Sequence, residues 1–542
     1  MRGMNFNEIQ KQISVLVSDD KSSVSDFLNI EKKLSGIKEF PDYIRCPRLA
    51  FLSNFTIQGL PETMRARGIF HNLLPEIYNS PYNQYIQEIL NNKSELYRFE
   101  PDLVYLFIDL ETLPNRRELT DLIDQFLVRS NLLAGKARAK LVVLDKKIKN
   151  IYKGNKQVLF FDFFAWLKKS NHEQNWYTKY KELGDMRLAP DAFPDLAEQL
   201  LSFAVAVSGA TKKCVVTDLD NTLWRGILGE DGLKNIKPNR ELQNYLLELF
   251  NKGIILAINS KNNEDETLEV IEKHNDIILK KDSFAAWQIN WEDKAENMVS
   301  LAKDLNIGID SIVFLDDDYF QQNLIREAFP QVAVIPFDNW DRGIEILKKF
   351  AGFSKFELTK EDIRKGQMYT EERKRKELQS SLKGLDDFLK ELDLKVTVDE
   401  VNESTIPRAS QLTQKTNQFN LTTKRYSEED IKKFLREDWK IWTISATDRF
   451  GDYGIIGLAM IEPKADEWRI DNLLMSCRIL GRGIEDKAVE FLINKCKENR
   501  VKHITAEYIP TSKNKQAENF LDGLEFKLEE EKDNHKKYVY EF

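Results

Sequence analysis

Lys212-Lys213-Cys214-Val215-Val216-Thr217-Asp218-Leu219-Asp220-Asn221-Thr222 reads as a short apolar strand that stops abruptly in acids. GIILAINS (253–260) and SIVFLDDD (311–318) repeat that design, and QVAVIPF (331–337) supplies a fourth strand. Helical periodicity fills the intervals: ELQNYLLELF, NEDETLEVIEKHN, AENMVSLAKDL and NLIREAF. Strands alternating with helices predict a parallel sheet covered on both faces. In open sheets of this kind chemistry gathers at the C-terminal strand ends, which is where this chain puts its acids.

Working outward, LAFLSNFT (49–56), DLVYLFIDL (102–110) and KQVLFFDFF (156–164) predict three strands of an earlier α/β unit over 41–205. Residues 1–40 read as polar helical material. The acidic-strand unit occupies 206–354. Residues 355–385 are highly charged and poor in Gly and Pro, which predicts a solvated helical connector. A third unit over 386–542 holds the strand candidates LKVTVDEV, KIWTISATD, GIIGLAMIEP, WRIDNLLMSC and HITAEYIP, with a long helix from Ile484. The expected class is α/β multidomain.

Composition narrows the function. Hydrophobic residues at 42% and charged residues at 31% fit a globular chain with real cores. Lys+Arg 80 against Asp+Glu 88 gives a net charge of −8, which argues against affinity built on phosphate neutralisation, so no nucleic-acid partner is expected. No stretch reaches the roughly 20 apolar residues that span a bilayer, and the N-terminus lacks the apolar core of a signal peptide. A cytoplasmic protein with no membrane partner is the expectation. Four scattered cysteines form neither a disulfide framework nor a CxxC pair.

The acids suggest phosphoryl transfer. Asp218 can attack phosphorus in line, and Asp220, two residues on, can protonate the leaving oxygen. Ser260 in NSKNN offers a hydroxyl beside backbone N–H groups for phosphate oxygens. Lys294 offers the cation that offsets clustered carboxylates and phosphate. Thr222, Lys261 and Asn297 complete the candidate phosphate contacts. Asp218, Asp220, Asp316 and Asp317 are candidate ligands for Mg²⁺, a hard ion that takes oxygen donors; Asp317 is the favoured late acid, with Asp316 orienting Lys294.

Acid, hydroxyl, lysine and acid pair on successive βα units resemble the four motifs of the haloacid dehalogenase (HAD) phosphotransferase superfamily. Many of its members insert a cap domain, but here only about 30 residues separate Asp220 from the next strand. Trp224, Arg225 and the GILGEDG segment are expected to form a small flap instead. An open site of this kind admits a bulky or carrier-bound substrate.

In the third unit Met475-Ser476-Cys477-Arg478-Ile479-Leu480-Gly481-Arg482-Gly483 joins a strand to a helix. Its R-x-x-G-x-G is similar to the pyrophosphate loop of GNAT N-acyltransferases, which implies pantetheine or coenzyme A contacts at Arg478, Gly481, Arg482, Gly483 and Asn514. Leu521 stands where many of those enzymes have a proton-donating tyrosine. Cys477 beside Arg478 is a candidate thiol relay.

Over nearly its whole length the chain resembles the FkbH-like family, through VVTDLDNTLWRGILGEDG, SKNN, FLDDD, RASQLTQKTNQFNLTTKRY (408–426), DRFGDYGIIG (448–457), LLMSCRILGRGIED and YIPTSKNKQAENF. The resemblance implies a Mg²⁺ enzyme that dephosphorylates 1,3-bisphosphoglycerate and passes the glyceryl group to the phosphopantetheine thiol of an acyl carrier protein. Relatives commonly have cysteine before the second-motif serine; Asn259 stands here, so no acyl-enzyme forms at that position. Asp318 and Tyr319 replace a common Asn-Pro, adding an acid beside the expected metal site. The first unit resembles an SGNH-hydrolase-like half with Phe55 at the nucleophile position and Ser53 as the nearest hydroxyl. A phosphohydrolase acting on a small phosphorylated metabolite or sugar is the alternative, and a GNAT-type acyltransferase or carrier-binding scaffold a further one.

Overall fold

A computed structural model describes residues 5–542 except 20–21, 38, 110–115, 133–138, 145–147, 177–179, 234, 357–359, 383, 465, 477–478 and 512. The chain forms two compact units, Met1–Thr370 and Glu371–Phe542. Among the described residues no helix is long and apolar enough to cross a membrane.

The first unit carries two open sheets, both parallel throughout. One orders its strands Glu76–Asn79, Arg48–Ser53, Leu103–Phe107, Lys140–Val143 and Val158–Phe160. At its first strand end Ser53 is spent locally: its Oγ donates to the Phe55 carbonyl at 2.7 Å and accepts from the Phe55 N–H at 3.1 Å. The second sheet orders Ala286–Ile289, Ile255–Ser260, Cys214–Thr217, Ile312–Asp316 and Ala333–Pro336. Strand order reverses between Cys214–Thr217 and Ile312–Asp316, and such a reversal opens a crevice at the carboxyl ends of the two strands. Asp218 follows one of these strands and Asp316 closes the other.

Local sequence explains how the chain turns back at those ends. After Cys214–Thr217, the N–H groups of Thr222 and Leu223 both return to the Leu219 carbonyl, with Asn221 in the left-handed region at φ 54°. Asn tolerates that conformation better than most residues. Gly253 makes the turn from helix Arg240–Asn251 into Ile255–Ser260 at φ 83°, and a Cβ there would lie 1.5 Å from the Asp362 carbonyl oxygen. Only glycine fits.

The N-terminal helices Phe6–Val17 and Val24–Leu34 are less polar in use than in composition. Phe6, Ile9, Ile13, Phe27 and Ile30 are buried in one cluster with Leu242 and Leu246 of the second sheet's helices. Lys11 also pairs with Glu327 at 2.7 Å.

The second unit is one sheet in the order Lys395–Glu400, Lys440–Asp448, Gly451–Pro463, Glu467–Met475, His503–Tyr508, His535–Glu541 and Lys527–Lys532. Its neighbours are antiparallel except Glu467–Met475 with His503–Tyr508. That parallel pairing stops at Ile470 and Ala506. Beyond it Phe419 and Asn420 pair with Met475 and Leu474, the Leu421 N–H reaches Leu473, and the Ile509 N–H reaches Leu421. The chain's own segment thus bonds to both strands where they part. This is the α+β arrangement expected of a GNAT-like fold.

The charged stretch is helical over Lys360–Ser381, but one side of it is buried rather than solvated. Tyr369 packs against the cluster of Cys214, Val216 and Phe314. In the second unit Arg375 is 2% exposed and grips Asp448 with two nitrogens, at 2.6 and 3.0 Å. The high charge of the sequence hid this burial because Arg373 and Arg375 are paired with anions, Glu377 and Asp448.

Candidate active site

Two strands and one helix bring the acids and the lysine together. Asp218 follows Cys214–Thr217, Asp316 and Asp317 end the neighbouring strand, and Lys294 opens helix Lys294–Asp304. Carboxylate oxygens of Asp218, Asp316 and Asp317 all lie within 4.8 Å of one another, the one such group among the described residues. Lys294 Nζ donates to Asp316 Oδ2 at 2.7 Å and stands 3.1 Å from Asp218 Oδ1. The lysine is 3% exposed and Asp316 fully buried.

One ammonium does not offset two buried carboxylates and a half-buried third. Burial first, then the Asp218 charge, raises Asp316 to about 7 against the pull of Lys294. The same two causes raise Asp317 to about 6. Burial would lower Lys294, but the charges of Asp218 and Asp316 outweigh it and hold the ammonium above its ordinary range. A compact set of hard oxygen donors short of positive charge fits a divalent cation such as Mg²⁺, held by Asp218, Asp316 and Asp317.

Asp220 departs from its expected role as a metal ligand. Its carboxylate lies outside the three-acid cluster: Oδ1 accepts from Trp224 Nε1 at 2.8 Å and from the Leu228 N–H at 3.2 Å, and Oδ2 accepts from Asn262 Nδ2 at 3.2 Å. Burial raises its pKa, with these donors opposing, and the Asp218 charge adds a smaller upward push. The Trp224 and Leu228 donors come from the expected flap, in which Trp224–Arg225 pairs with Lys237–Pro238 around the short helix Leu228–Asp231. Trp340 Nε1 donates to the Asn221 carbonyl at 2.6 Å while the Arg225 guanidinium lies 4.6 Å from the Trp340 ring centre, fixing the flap's base.

Ser260 is buried at the end of its strand and accepts from Asn262 Nδ2 at 3.1 Å. Thr222 is buried with no partner for its hydroxyl among the described residues, and Lys261 is half-buried. Asn297 is turned away from phosphate duty. Its Nδ2 donates to Asn290 Oδ1 at 2.9 Å and Asn259 Oδ1 at 3.3 Å, so its amide is spent inside the protein. The extra acid Asp318 caps helix Tyr319–Ala328 by accepting from the Phe320 N–H at 2.8 Å, a task that directs it away from the cluster. Sequence reasoning gave no role to Asn262, whose one amide nitrogen links Asp220 to Ser260; its position two residues past the strand-ending serine was the available signal.

The coenzyme-like loop of the second unit is engaged internally. The Gly481 N–H donates to Glu485 Oε1 at 2.9 Å, and Gly483 at φ 71° caps helix Ile484–Glu498. Arg482 donates to Glu372 at 2.7 Å and to the Tyr453 hydroxyl. Asn514 is fully buried and donates to the carbonyls of Asn420 and Ile509, each at 2.9 Å. Cys477 and Arg478 lie outside the described residues.

Comparison with known proteins finds several similar solved structures. The N-terminal part of the protein BF1531 from Bacteroides fragilis, which contains a phosphatase domain and was crystallised in complex with Mg, is similar at 26% identity; the match covers 64% of this chain and 99% of that one, with a TM-score of 0.48. The ribosomal-protein-S18-alanine N-acetyltransferase from Escherichia coli matches 27% of this chain and 91% of its own at 15% identity, TM-score 0.22. An acetyltransferase of the GNAT family from Staphylococcus aureus matches 27% and 99% at 14% identity, TM-score 0.22. No family model and no curated protein matches the chain.

Proposed function

We propose that the crevice at Asp218 is a Mg²⁺-dependent phosphoryl-transfer site. The observation that carries this is the convergence of Asp218, Asp316 and Asp317 within 4.8 Å, with Lys294 bridging two of them. Asp218 is the nucleophile: Lys294 orients its carboxylate, and its second oxygen attacks phosphorus in line with the leaving group. Asp220, held to one side by Trp224, Leu228 and Asn262, hands its proton to the leaving oxygen and then takes one from water to release phosphate. Burial raises its pKa, which favours the protonated form that this step uses. Ser260 and Lys294 hold the phosphate oxygens. Bound Mg²⁺ supplies charge neutralisation for the phosphoryl group.

For the substrate we infer a phosphorylated three-carbon acyl unit, 1,3-bisphosphoglycerate, whose glyceryl group passes to the phosphopantetheine thiol of an acyl carrier protein. The support is the resemblance carried by KTNQFN and SCRILGRG, together with a flap in place of a cap domain. Trp291, on the loop before Lys294, and Tyr319 and Phe320, in the first turn of helix Tyr319–Ala328, are 73%, 70% and 68% exposed, as a surface for a macromolecular partner requires. Intact-protein mass spectrometry of carrier proteins incubated with the chain, Mg²⁺ and 1,3-bisphosphoglycerate tests this. A glyceryl adduct is expected. Phosphate release from sugars with no adduct on any carrier would replace it with small-metabolite phosphohydrolysis.

A further inference from the structure

Behind the lysine lies an amide network that phosphoryl transfer does not itself require. Asn259 is fully buried, one residue before Ser260. Its Nδ2 donates to the backbone carbonyl of Lys294 at 2.9 Å, and its Oδ1 accepts from Asn297 Nδ2 at 3.3 Å. Asn297 sits one helical turn after Lys294 and is 2% exposed. Asn290 closes the set: its Nδ2 donates to Asn297 Oδ1 at 3.2 Å, its Oδ1 accepts from Asn297, and its backbone N–H donates to the Ser260 carbonyl at 3.1 Å.

We propose that Asn259 is the positioning residue for Lys294. A lysine side chain is long and flexible, so holding its ammonium on two carboxylates requires a fixed Cα and a fixed first helical turn. Asn259 fixes both, through the Lys294 carbonyl and through Asn297 on the same helix face. Because the strand that carries Asn259 also ends in Ser260, the network ties hydroxyl and ammonium to one rigid frame. Buried amides that satisfy one another are specific in a way that apolar packing is not, since each allows few alternative geometries. This inference rests on the site reading given above.

The test uses the full chain with Asn259→Leu, which keeps the volume and removes the amide, and Asn259→Asp, which keeps the acceptor for Asn297 but loses the donor to Lys294. Inorganic phosphate is titrated by calorimetry in the presence of Mg²⁺, Mn²⁺ binding is followed by paramagnetic resonance, and each variant is crystallised. Phosphate affinity is expected to fall about 10- to 100-fold in both variants, with Mn²⁺ affinity held within about twofold. Lys294→Met combined with Asn259→Leu should bind phosphate no worse than Lys294→Met alone. In crystals Lys294 Nζ should leave Asp218. An ammonium still on both carboxylates in either variant, or phosphate and Mn²⁺ affinity falling together, overturns the proposal. A wild-type chain that binds no phosphate while Asn259→Leu displaces Lys294 instead rejects the site reading and leaves the positioning role standing.

Discussion

Lys294 Nζ stands 2.7 Å from Asp316 Oδ2 with both side chains sealed from solvent. Removing one partner of a buried pair typically costs about 3–5 kcal/mol because a charge is left uncompensated. Asp316, at about 7, has an escape that most such acids lack: it takes up a proton. Lys294→Met should therefore lower the melting temperature clearly at pH 8 and much less at pH 5, where Asp316 is neutral. Equal losses at both pH values would mean that the pair is not electrostatic in origin.

Metal affinity should rise with pH. The folded chain keeps protons on Asp316 and Asp317 up to about 7 and about 6, whereas an ordinary aspartate loses its proton near 3.8. The folded state thus binds more protons than the unfolded one across that window, so metal-free stability should fall as pH climbs from about 4 to about 7. A cation must displace those protons. Calorimetry of Mg²⁺ binding in buffers of different ionisation enthalpy should show proton release below pH 7 that fades by about pH 8.

Asp218→Asn is expected to abolish phosphate release, by about 10³-fold or more. It should also raise the melting temperature of the metal-free chain, because the Asp218 charge helps drive both Asp316 and Asp317 upward. A site tuned for chemistry is strained in its resting state. A variant with unchanged turnover would reject Asp218 as nucleophile, and a destabilised one would argue against charge crowding in the cluster.

Trp224 tests whether the flap serves the acid. Trp224→Phe removes the donor 2.8 Å from Asp220 and leaves a smaller aromatic ring in its place. That hydrogen bond favours the ionised carboxylate, so its loss should raise the Asp220 pKa further and carry the alkaline limb of the kcat profile upward. A turnover loss of about tenfold at neutral pH is expected from the loosened geometry. An unmoved limb would separate the flap from proton transfer.

Coenzyme A and acetyl-CoA should leave the melting curve unchanged. The Gly481 N–H serves Glu485, Arg482 serves Glu372 and Tyr453, and the Phe419–Leu421 segment bonds to both strands where they part. A saturable upward shift with acetyl-CoA would restore the acyltransferase reading.

The acids were legible because they sit where apolar runs end, and a run of four to six β-formers is readable without any partner. Ala286–Ile289 was missed because it is short, half-exposed and interrupted by Gln288. Lys527–Lys532 was missed because every one of its residues is exposed, so KLEEEK carries no alternation. In the site, the individual groups could be named from the sequence but their allegiances could not. Asn297 and Asp318 carry plausible ligands, yet one is consumed by Asn259 and Asn290 and the other by a helix end. Asn262 and Trp224 acquire their roles only when Asp220 folds against them. Hydrogen-bond competition of this sort is decided in three dimensions.

The helix Lys360–Ser381 runs past the point where the first compact unit ends, at Thr370, and its later residue Arg375 is the counter-ion of Asp448. Burial would lift that carboxylate, but Arg375 and Tyr453 pull it below the usual range. A severed C-terminal piece beginning at 386 would keep this buried anion with its Tyr453 and backbone donors but without its cation. Dissection of the polypeptide therefore belongs upstream of Glu371, where the fragment keeps the cation that its interior was assembled around.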